Sequence, residues 1–530
     1  MPNSDRVLSR RVRSLTVVVA AGALLAGCAG PSQPIAVASH RTPDSAPAPG
    51  TASSSPTPST AGTATSAPTP PQSTPAAGAD TTTTAAGTIS RSTSVGDRRY
   101  PRLGSADINV DDYDVELMYD ADAVALSGRI TVSGSFVNAT DQIALDNAGP
   151  TVTEVSGDAG ELVYTQADDE LIIDLGGLQP AGSDFEVSID FTSAVPTSGN
   201  FLERAGLFRN ESGPGIWSVN EPDGTSTWLP TNDHPTDKAT WRFAVTVPEG
   251  LSAISNGALQ GTRRDDATGS TTWTWDQREP MASYLALLLI GDYETEDGGH
   301  SSTGVDLESA AETADVDDLD NYADIVDRQL TYLTEQFGTY PFDRFGIALA
   351  DSESGLAMET QGLPLFSRQD LDGSVGYFQH LLLSHELAHQ WFGDAVSPAQ
   401  WDDIWLNEGW ATYAQWMWLD HEGLDTLEGQ AQRALVGAAN AGGAVSRPDD
   451  LFGSVSYDGG GAALHALRLT IGDDAFFGGA RAWVTEHMDS SGSTDDFQAT
   501  MEAASGRDLD DFFATWVHAA NRPVTFPAQT

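Results

Sequence analysis

The chemistry in this chain starts from His385-Glu386-Leu387-Ala388-His389, set within the run LLLSHELAHQWFGD. Histidines at i and i+4 of a helix project from one face, where both imidazoles can reach a single zinc ion. Glu386 lies one step, about 100°, further round, so its carboxylate can turn toward a water held in an open position on that ion. Catalytic zinc takes three protein ligands and leaves a fourth position free. Glu408, in WLNEGWATYAQ nineteen residues past His389, is the candidate third ligand, at the start of a second helix expected to be amphipathic. The expected cofactor is therefore one zinc ion and the expected chemistry hydrolysis, with Glu386 as the base. His465 and His518 are expected to pack rather than to act.

The chain that positions these residues has 530 of them, enough for about three domains. Its 26 Lys+Arg against 76 Asp+Glu leave a net charge of −50. That balance excludes the basic face on which nucleic-acid binding depends, so no nucleic-acid partner is expected. It equally disfavours a polybasic hold on anionic lipid. Cys28 is the single cysteine, which excludes an intramolecular disulfide and any multi-cysteine metal site.

Cys28 has a different expected use. Arg6, Arg10, Arg11 and Arg13 precede an apolar run from Leu15 to Ala26, the charged and apolar parts of a signal peptide. A permanent membrane span takes about 20 residues, more than this run supplies. The run ends in Leu25-Ala26-Gly27-Cys28, which resembles the bacterial lipobox, whose cysteine is lipidated. Residues 1–28 are thus expected to direct export and to anchor the protein by a lipid on Cys28 at the outer face of the bacterial cell membrane. Ser9-Arg10-Arg11 leaves the route open between general secretory and twin-arginine export. Residues 29–100, rich in Ser, Thr, Pro and Ala, bury too little to offset their ordering entropy and are expected to form a disordered linker.

Two folded regions are expected beyond it. In residues 101–294 the pattern has period two: Tyr113, Val115 and Leu117, then Phe185, Val187, Ile189 and Phe191, then Trp241, Phe243, Val245 and Val247. Many short alternating runs predict an antiparallel β-sandwich or saddle. In residues 295–530 the period becomes helical, with Leu319, Tyr322, Ile325, Val326, Leu330, Leu333 and Phe337 on one face before Gly338. The acidic stretch Asp315–Asp320 lacks the glycine and terminal glutamate of a calcium loop and is read as a solvated helix start. The expected fold is α+β: a β domain, then a mainly α catalytic domain with one short strand near Phe345–Leu349.

HELAHQWFGD followed by WLNEGWATY resembles the aminopeptidase N family, gluzincin metallopeptidases with an HExxH–x18–E zinc site. The likeness extends from about Tyr113 to the C-terminus, through EPDGTSTWLPTNDHPTDKATWRF and the closing DLDDFFATWVHAANRPV. It implies a thermolysin-like catalytic domain, and the long helical C-terminal domain of larger members is expected to be absent. Further site residues are also implied. Leu356-Ala357-Met358-Glu359-Thr360 matches the family's GxMEN segment, so Glu359 is expected on the substrate's α-amine with Ala357 and Met358 beside it. Leu356 and Thr360 depart from that pattern. Glu221 matches a second amine-binding glutamate, with Val219 where glutamine is usual. Two carboxylates on one ammonium make electrostatic sense, since a lone buried acid tends to protonate. Tyr457 in SYDGG matches the hydroxyl that stabilises the tetrahedral intermediate. Asp394 and Asp402 are candidates for orienting the zinc histidines.

The resulting expectation is a zinc aminopeptidase acting on peptides with a free N-terminus. Two alternatives stay open: a zinc endopeptidase of the same fold, and a non-catalytic surface binding lipoprotein. Residue preference, physiological substrate and oligomeric state are not determined by the sequence.

Overall fold

The computed structural model describes residues 94–529 apart from Leu202, Glu353, Ser354 and Leu356. The signal segment, Cys28 and residues 29–93 lie outside the described residues. Residues 94–100, expected above as the end of the linker, are folded. The Asp97 side chain is almost fully buried, and Arg98 and Arg99 both grip Asp402. Composition misleads here because these polar residues find charged partners far along the chain.

Along Ile108–Asp120, Tyr113, Val115, Leu117 and Tyr119 face inward while Glu116, Met118 and Asp120 face solvent. This is the period-two pattern of a half-buried strand. A bulge between Val110 and Asp112 shifts the buried set from even to odd positions. The strand sits inside an eight-stranded sheet. It pairs antiparallel with Ala125–Phe136 but parallel with Lys238–Pro248, so this sheet is not wholly antiparallel as expected. Tyr113 stacks on Trp241 across that parallel pair, with ring centroids 4.1 Å apart. A second, four-stranded sheet contains Ile216–Val219, buried on both faces and leading straight into Glu221.

The second region begins differently from expectation. Its first elements are strands, a hairpin of Tyr293–His300 and Asp306–Glu312. Its sequence, YETEDGGH and DLESAAE, shows almost no apolar alternation because most of the first strand faces solvent. The hairpin extends a mixed sheet through Ala348–Ala350 and Leu365–Ser367 to the edge strand Ala357–Met358, which runs directly into Glu359.

Helices follow: α1 (Ala323–Phe337), α2 (Tyr377–His389), α3 (Trp405–His421), α4 (Leu427–Ala441), α5 (Tyr457–Ile471), α6 (Asp473–His487), α7 (Thr494–Ser505) and α8 (Asp510–Trp516). The predicted face of α1 is buried as the periodicity requires, and Gly338 ends the helix at φ 99°. In α3 every residue from Trp405 to Leu419 is buried, so this helix is a central rod rather than the amphipathic helix expected. It lies against α2 on one side and α5 on the other. A Cβ on Gly409 would come within 2.9 Å of Gly460 backbone atoms, so two glycines set the α3–α5 spacing. Among the described residues no helix is long and apolar enough to cross a membrane.

Candidate active site

The helix α2 carries His385 and His389 on the face turned to α3, and Glu408 enters from the first turn of α3. Glu408 Oε2 lies 3.4 Å from His385 Nε2 and 3.5 Å from His389 Nε2. The three side chains are buried, and both Nε2 atoms and both Glu408 oxygens lack hydrogen-bond partners. The other nitrogen of each ring is engaged. His385 Nδ1 donates to Gln415 Oε1 (3.0 Å) and His389 Nδ1 to the Phe392 carbonyl (3.2 Å). These bonds fix the tautomers so that each Nε2 presents a lone pair to the same point. Ligands about 2.0–2.2 Å from a tetrahedral zinc sit roughly 3.4 Å apart, so the donor set fits zinc in type and spacing.

Glu221 and Glu359 meet beside this triangle. Oxygens of Glu221, Glu359 and Glu408 lie within 4.8 Å of one another, as do ligand atoms of Glu359, Glu386 and His389. Both glutamates are fully buried and neither carboxylate has a hydrogen-bond partner. Their backbones are pinned instead. Asn220 bonds the Ala286 carbonyl and the Trp228 indole, which fixes the approach to Glu221. Gln390, the residue after His389, donates to the Glu359 carbonyl and accepts from Gly362 N. Ala357 and Met358 pair with Phe366 and Leu365 and leave the strand's other side as the sheet edge. Thr360, the departure from the family pattern, donates its hydroxyl to the Leu363 carbonyl at 2.6 Å, closing the turn after Glu359. Val219 lies in the buried strand before Glu221. Leu356 is outside the described residues.

The charge balance of the site is unusual. Burial, together with repulsion from neighbouring acids, raises the carboxyls of Glu221, Glu386 and Asp394 well above their ordinary range, and burial also raises Glu359 against the pull of His389. Glu408 alone is held down at about 2: His389 and His385 outweigh the burial that opposes them. His389 in turn is pushed up against burial by Glu359 and Glu408. Five buried acids thus share too little positive charge, which a divalent cation and an ammonium group would supply. Tyr457, the first residue of α5, stacks its ring on His385 with centroids 5.9 Å apart. Its buried hydroxyl has no partner, and burial with the charge of Glu408 raises its pKa, keeping it a neutral donor.

Two expectations about histidine orientation are corrected. Asp402 is paired with Arg98 and Arg99 and orients neither histidine. Asp394 makes no hydrogen bond through its carboxylate; its place beside His389 is electrostatic only. Gln415 and the Phe392 carbonyl do the orienting. Gln415 lies two helical turns beyond Glu408 on the same face, a spacing from which it could have been inferred. Lys238, the chain's single lysine, reaches from the β region to the carbonyls of Asp394 (2.5 Å) and Ala395 (2.9 Å), and burial lowers its pKa to about 8. His465 packs between Tyr413 and Phe526, and His518 bonds Ser446 at the surface.

Known proteins resemble this one in both regions. The family model described as Peptidase family M1 domain matches residues 321–516, and that described as Peptidase M1 N-terminal domain matches residues 109–285. Aminopeptidase 2 of Candida albicans is 27% identical over 406 residues, 71% of this chain and 42% of its own length. Aminopeptidase N of Streptomyces lividans is 25% identical over 453 residues, 79% of this chain and 51% of its own. The chain spans between about a third and a half of the length of such curated relatives. Solved structures match over nearly their full length. The M1 zinc metallopeptidase from Deinococcus radiodurans is 29% identical with a TM-score of 0.73, covering 82% of this chain and 98% of that one. A mutant of it bound to a Tyr-Ser-Ala substrate matches with a TM-score of 0.72 at 28% identity, covering 82% of this chain and 100% of that one.

Proposed function

The chain belongs to the M1 peptidase family, in which aminopeptidase N falls, and from this premise we propose that it is a zinc-dependent aminopeptidase removing N-terminal residues from peptides. The observation that carries the reading is the meeting of Glu221 and Glu359, two unpartnered buried carboxylates, beside the triangle of His385, His389 and Glu408. A metal hydrolase has no need of two extra buried acids, whereas a site that measures off one residue from a free α-ammonium does.

His385, His389 and Glu408 would hold the zinc. Bound there, it supplies Lewis acidity, polarising a carbonyl oxygen and lowering the pKa of water to about 7. Glu359 and Glu221 receive the α-ammonium, and the pairing offsets the burial that otherwise raises both carboxyls. With the ammonium fixed, the first peptide carbonyl comes to rest between Glu386 and Tyr457. The Glu386 carboxylate accepts the proton of the water that adds to that carbonyl, then returns it to the departing nitrogen. The Tyr457 hydroxyl donates to the oxygen as it gains charge, a contact worth about 2.7–4 kcal/mol by analogy with other oxyanion donors. The Ala357–Met358 edge flanks the substrate backbone.

The test compares turnover of an aminoacyl arylamide with that of its N-acetylated twin, with zinc content measured on the same protein and on Glu359→Ala. Zinc-dependent cleavage of the free amine alone, lost in the variant, is the expected result. Equal cleavage of both would make the protein an endopeptidase, and no cleavage with zinc bound would make it a binding protein.

Export and anchoring belong to the same proposal. The arginine cluster, the apolar run and Leu25-Ala26-Gly27-Cys28 support a lipid on Cys28 at the outer face of the cell membrane, with the Ser/Thr/Pro/Ala-rich segment as a linker to the folded regions. Fatty-acid labelling lost in Cys28→Ser is the corresponding test.

A further inference from the structure

Residues 94–105 form a closed loop ahead of the first strand, tied at its ends by a bridge between Ser94 and Ser105 and at its centre by the bond from Leu103 N to the Tyr100 carbonyl. The loop precedes the matched M1 N-terminal domain, which begins at residue 109. Its contacts cross to the catalytic region at two places. The Asp97 carboxylate accepts from Trp401 N at 2.7 Å and from Arg99 N and Tyr100 N, and faces His234 Nε2 at 3.5 Å. Arg98 reaches Asp402 with an Nη2–Oδ1 distance of 2.7 Å. Arg99, with only 14% of its side chain exposed, bonds Asp402 Oδ1 (3.2 Å) and also the carbonyls of Pro448 and Asp449. Tyr100 meets Trp401 edge to face at 6.2 Å.

What lies behind each contact gives the loop its significance. The turn Trp401–Asp403 leads directly into α3, where Glu408 N bonds the Ile404 carbonyl. The segment around Asp449 leads into α5 through Gly453, whose carbonyl accepts from both Ser456 N and Tyr457 N. One guanidinium therefore joins the approach to Glu408 and the approach to Tyr457. A planar group with five donors can hold a carboxylate and two carbonyls at once, which an ammonium cannot match in direction. The Arg99–Asp402 pair is largely covered, with 14% and 11% of the two side chains exposed, so this charge-assisted bond is little weakened by water.

We infer that residues 94–105 are a strap that positions the active site, with Arg99 its central positioning residue: through Asp402, Pro448 and Asp449 it holds the Tyr457 approach in register with the Glu408 helix. This inference rests on the proposed role of Tyr457. A donor that acts on developing charge must be placed to within a few tenths of an ångström, so loosening its approach lowers kcat more than it raises KM.

The experiment uses the full chain and four variants, Arg99→Ala, Arg99→Lys, Tyr457→Phe and Arg99→Ala with Tyr457→Phe, measuring kcat, KM, zinc content and melting temperature. Arg99→Ala is expected to lower kcat about tenfold with KM within twofold and zinc unchanged, and Arg99→Lys to recover part of the loss. The double variant is expected to be no slower than Tyr457→Phe alone, because the strap acts through a hydroxyl that is no longer there. Unchanged kcat in Arg99→Ala, or losses that multiply in the double variant, would overturn the strap. Loss of zinc in both Arg99 variants would also overturn it, by moving the effect to the metal site. Wild-type kcat in Tyr457→Phe would instead remove Tyr457 from the mechanism, a failure readable separately from Arg99.

Discussion

The metal triangle and the proposed amine anchor lie within a few ångströms of each other but are built in opposite ways. His385, His389 and Glu408 come from two adjacent helices of one region, and each histidine is locked by a second hydrogen bond, to Gln415 or to the Phe392 carbonyl. Glu221 and Glu359 come from different regions, one from the end of a β-strand and the other from a sheet edge, and neither carboxylate is held by any bond of its own. The ligand triangle is therefore a property of helix packing, while the anchor is a property of how the two regions dock. On the proposed reading, reaction chemistry and choice of substrate end are thereby separable within one site.

Breaking the triangle should have the largest effect. Glu408→Ala is expected to lose zinc and all detectable turnover, as measured by metal analysis of the purified protein. Retained zinc would assign the third ligand to another acid, such as Glu359 or Glu386. Glu386→Gln should keep the metal and lower kcat by about 10²–10⁴, the usual range for a lost general base. On the anchor side, Glu359→Gln should leave zinc at one ion per chain and cut kcat/KM for the free amine by about 10–10², while barely changing the acetylated twin. Equal losses on both would merge the two halves of the comparison. Lys238→Met tests the docking itself. It should raise KM a few-fold with zinc intact, because the lysine bonds the carbonyls of Asp394 and Ala395 across the regions and touches no ligand.

The smallest expected effect is on stability against pH. In the β region burial lifts Asp233 to about 6 and Asp237 to about 7, and Glu312 reaches about 7 for the same reason. A carboxyl raised on folding favours the folded state fully below its ordinary pKa, a contribution lost as pH rises through the folded value. Glu408 has the reverse sign: its contribution is whole above 4.5 and is lost only as pH falls through about 2. The metal-free protein should therefore melt a few degrees higher at pH 5 than at pH 8, as calorimetry would show. A melting temperature that rises from pH 5 to pH 8 would mean these acids are not buried as described.

Most of the chemistry was legible because motif spacing encodes it locally. His385, His389 and Glu408 need only a helix, a short connection and another helix. The α1 face was equally plain, since its apolar residues repeat at helical spacing against a polar exterior. The elements that escaped notice share a different character. The hairpin 293–312 is mostly solvated and carries no apolar alternation. Residues 94–100 of the strap read as linker because they are polar, and their order rests on partners far along the chain, Trp401, Asp402 and Pro448. Gln415 carries no local signal beyond its place two turns past Glu408, and an amide is no more marked there than any other polar residue of α3. In α3 burial extends round the whole helix, which no periodicity can report.

Lys238 has one more consequence. As the chain's single lysine, it is the one site at which a lysine-specific endoprotease can cut the entire polypeptide. That bond opens the Lys238–Pro248 strand, in the interior of the eight-stranded sheet, with the side chain spent on carbonyls of the other region. Cleavage must wait both for the lysine to leave those carbonyls and for its strand to leave the sheet, so the nicking rate of the native protein becomes a clock for local opening at this seam. A substrate analogue that bridges Glu221 and Glu359 should slow that clock.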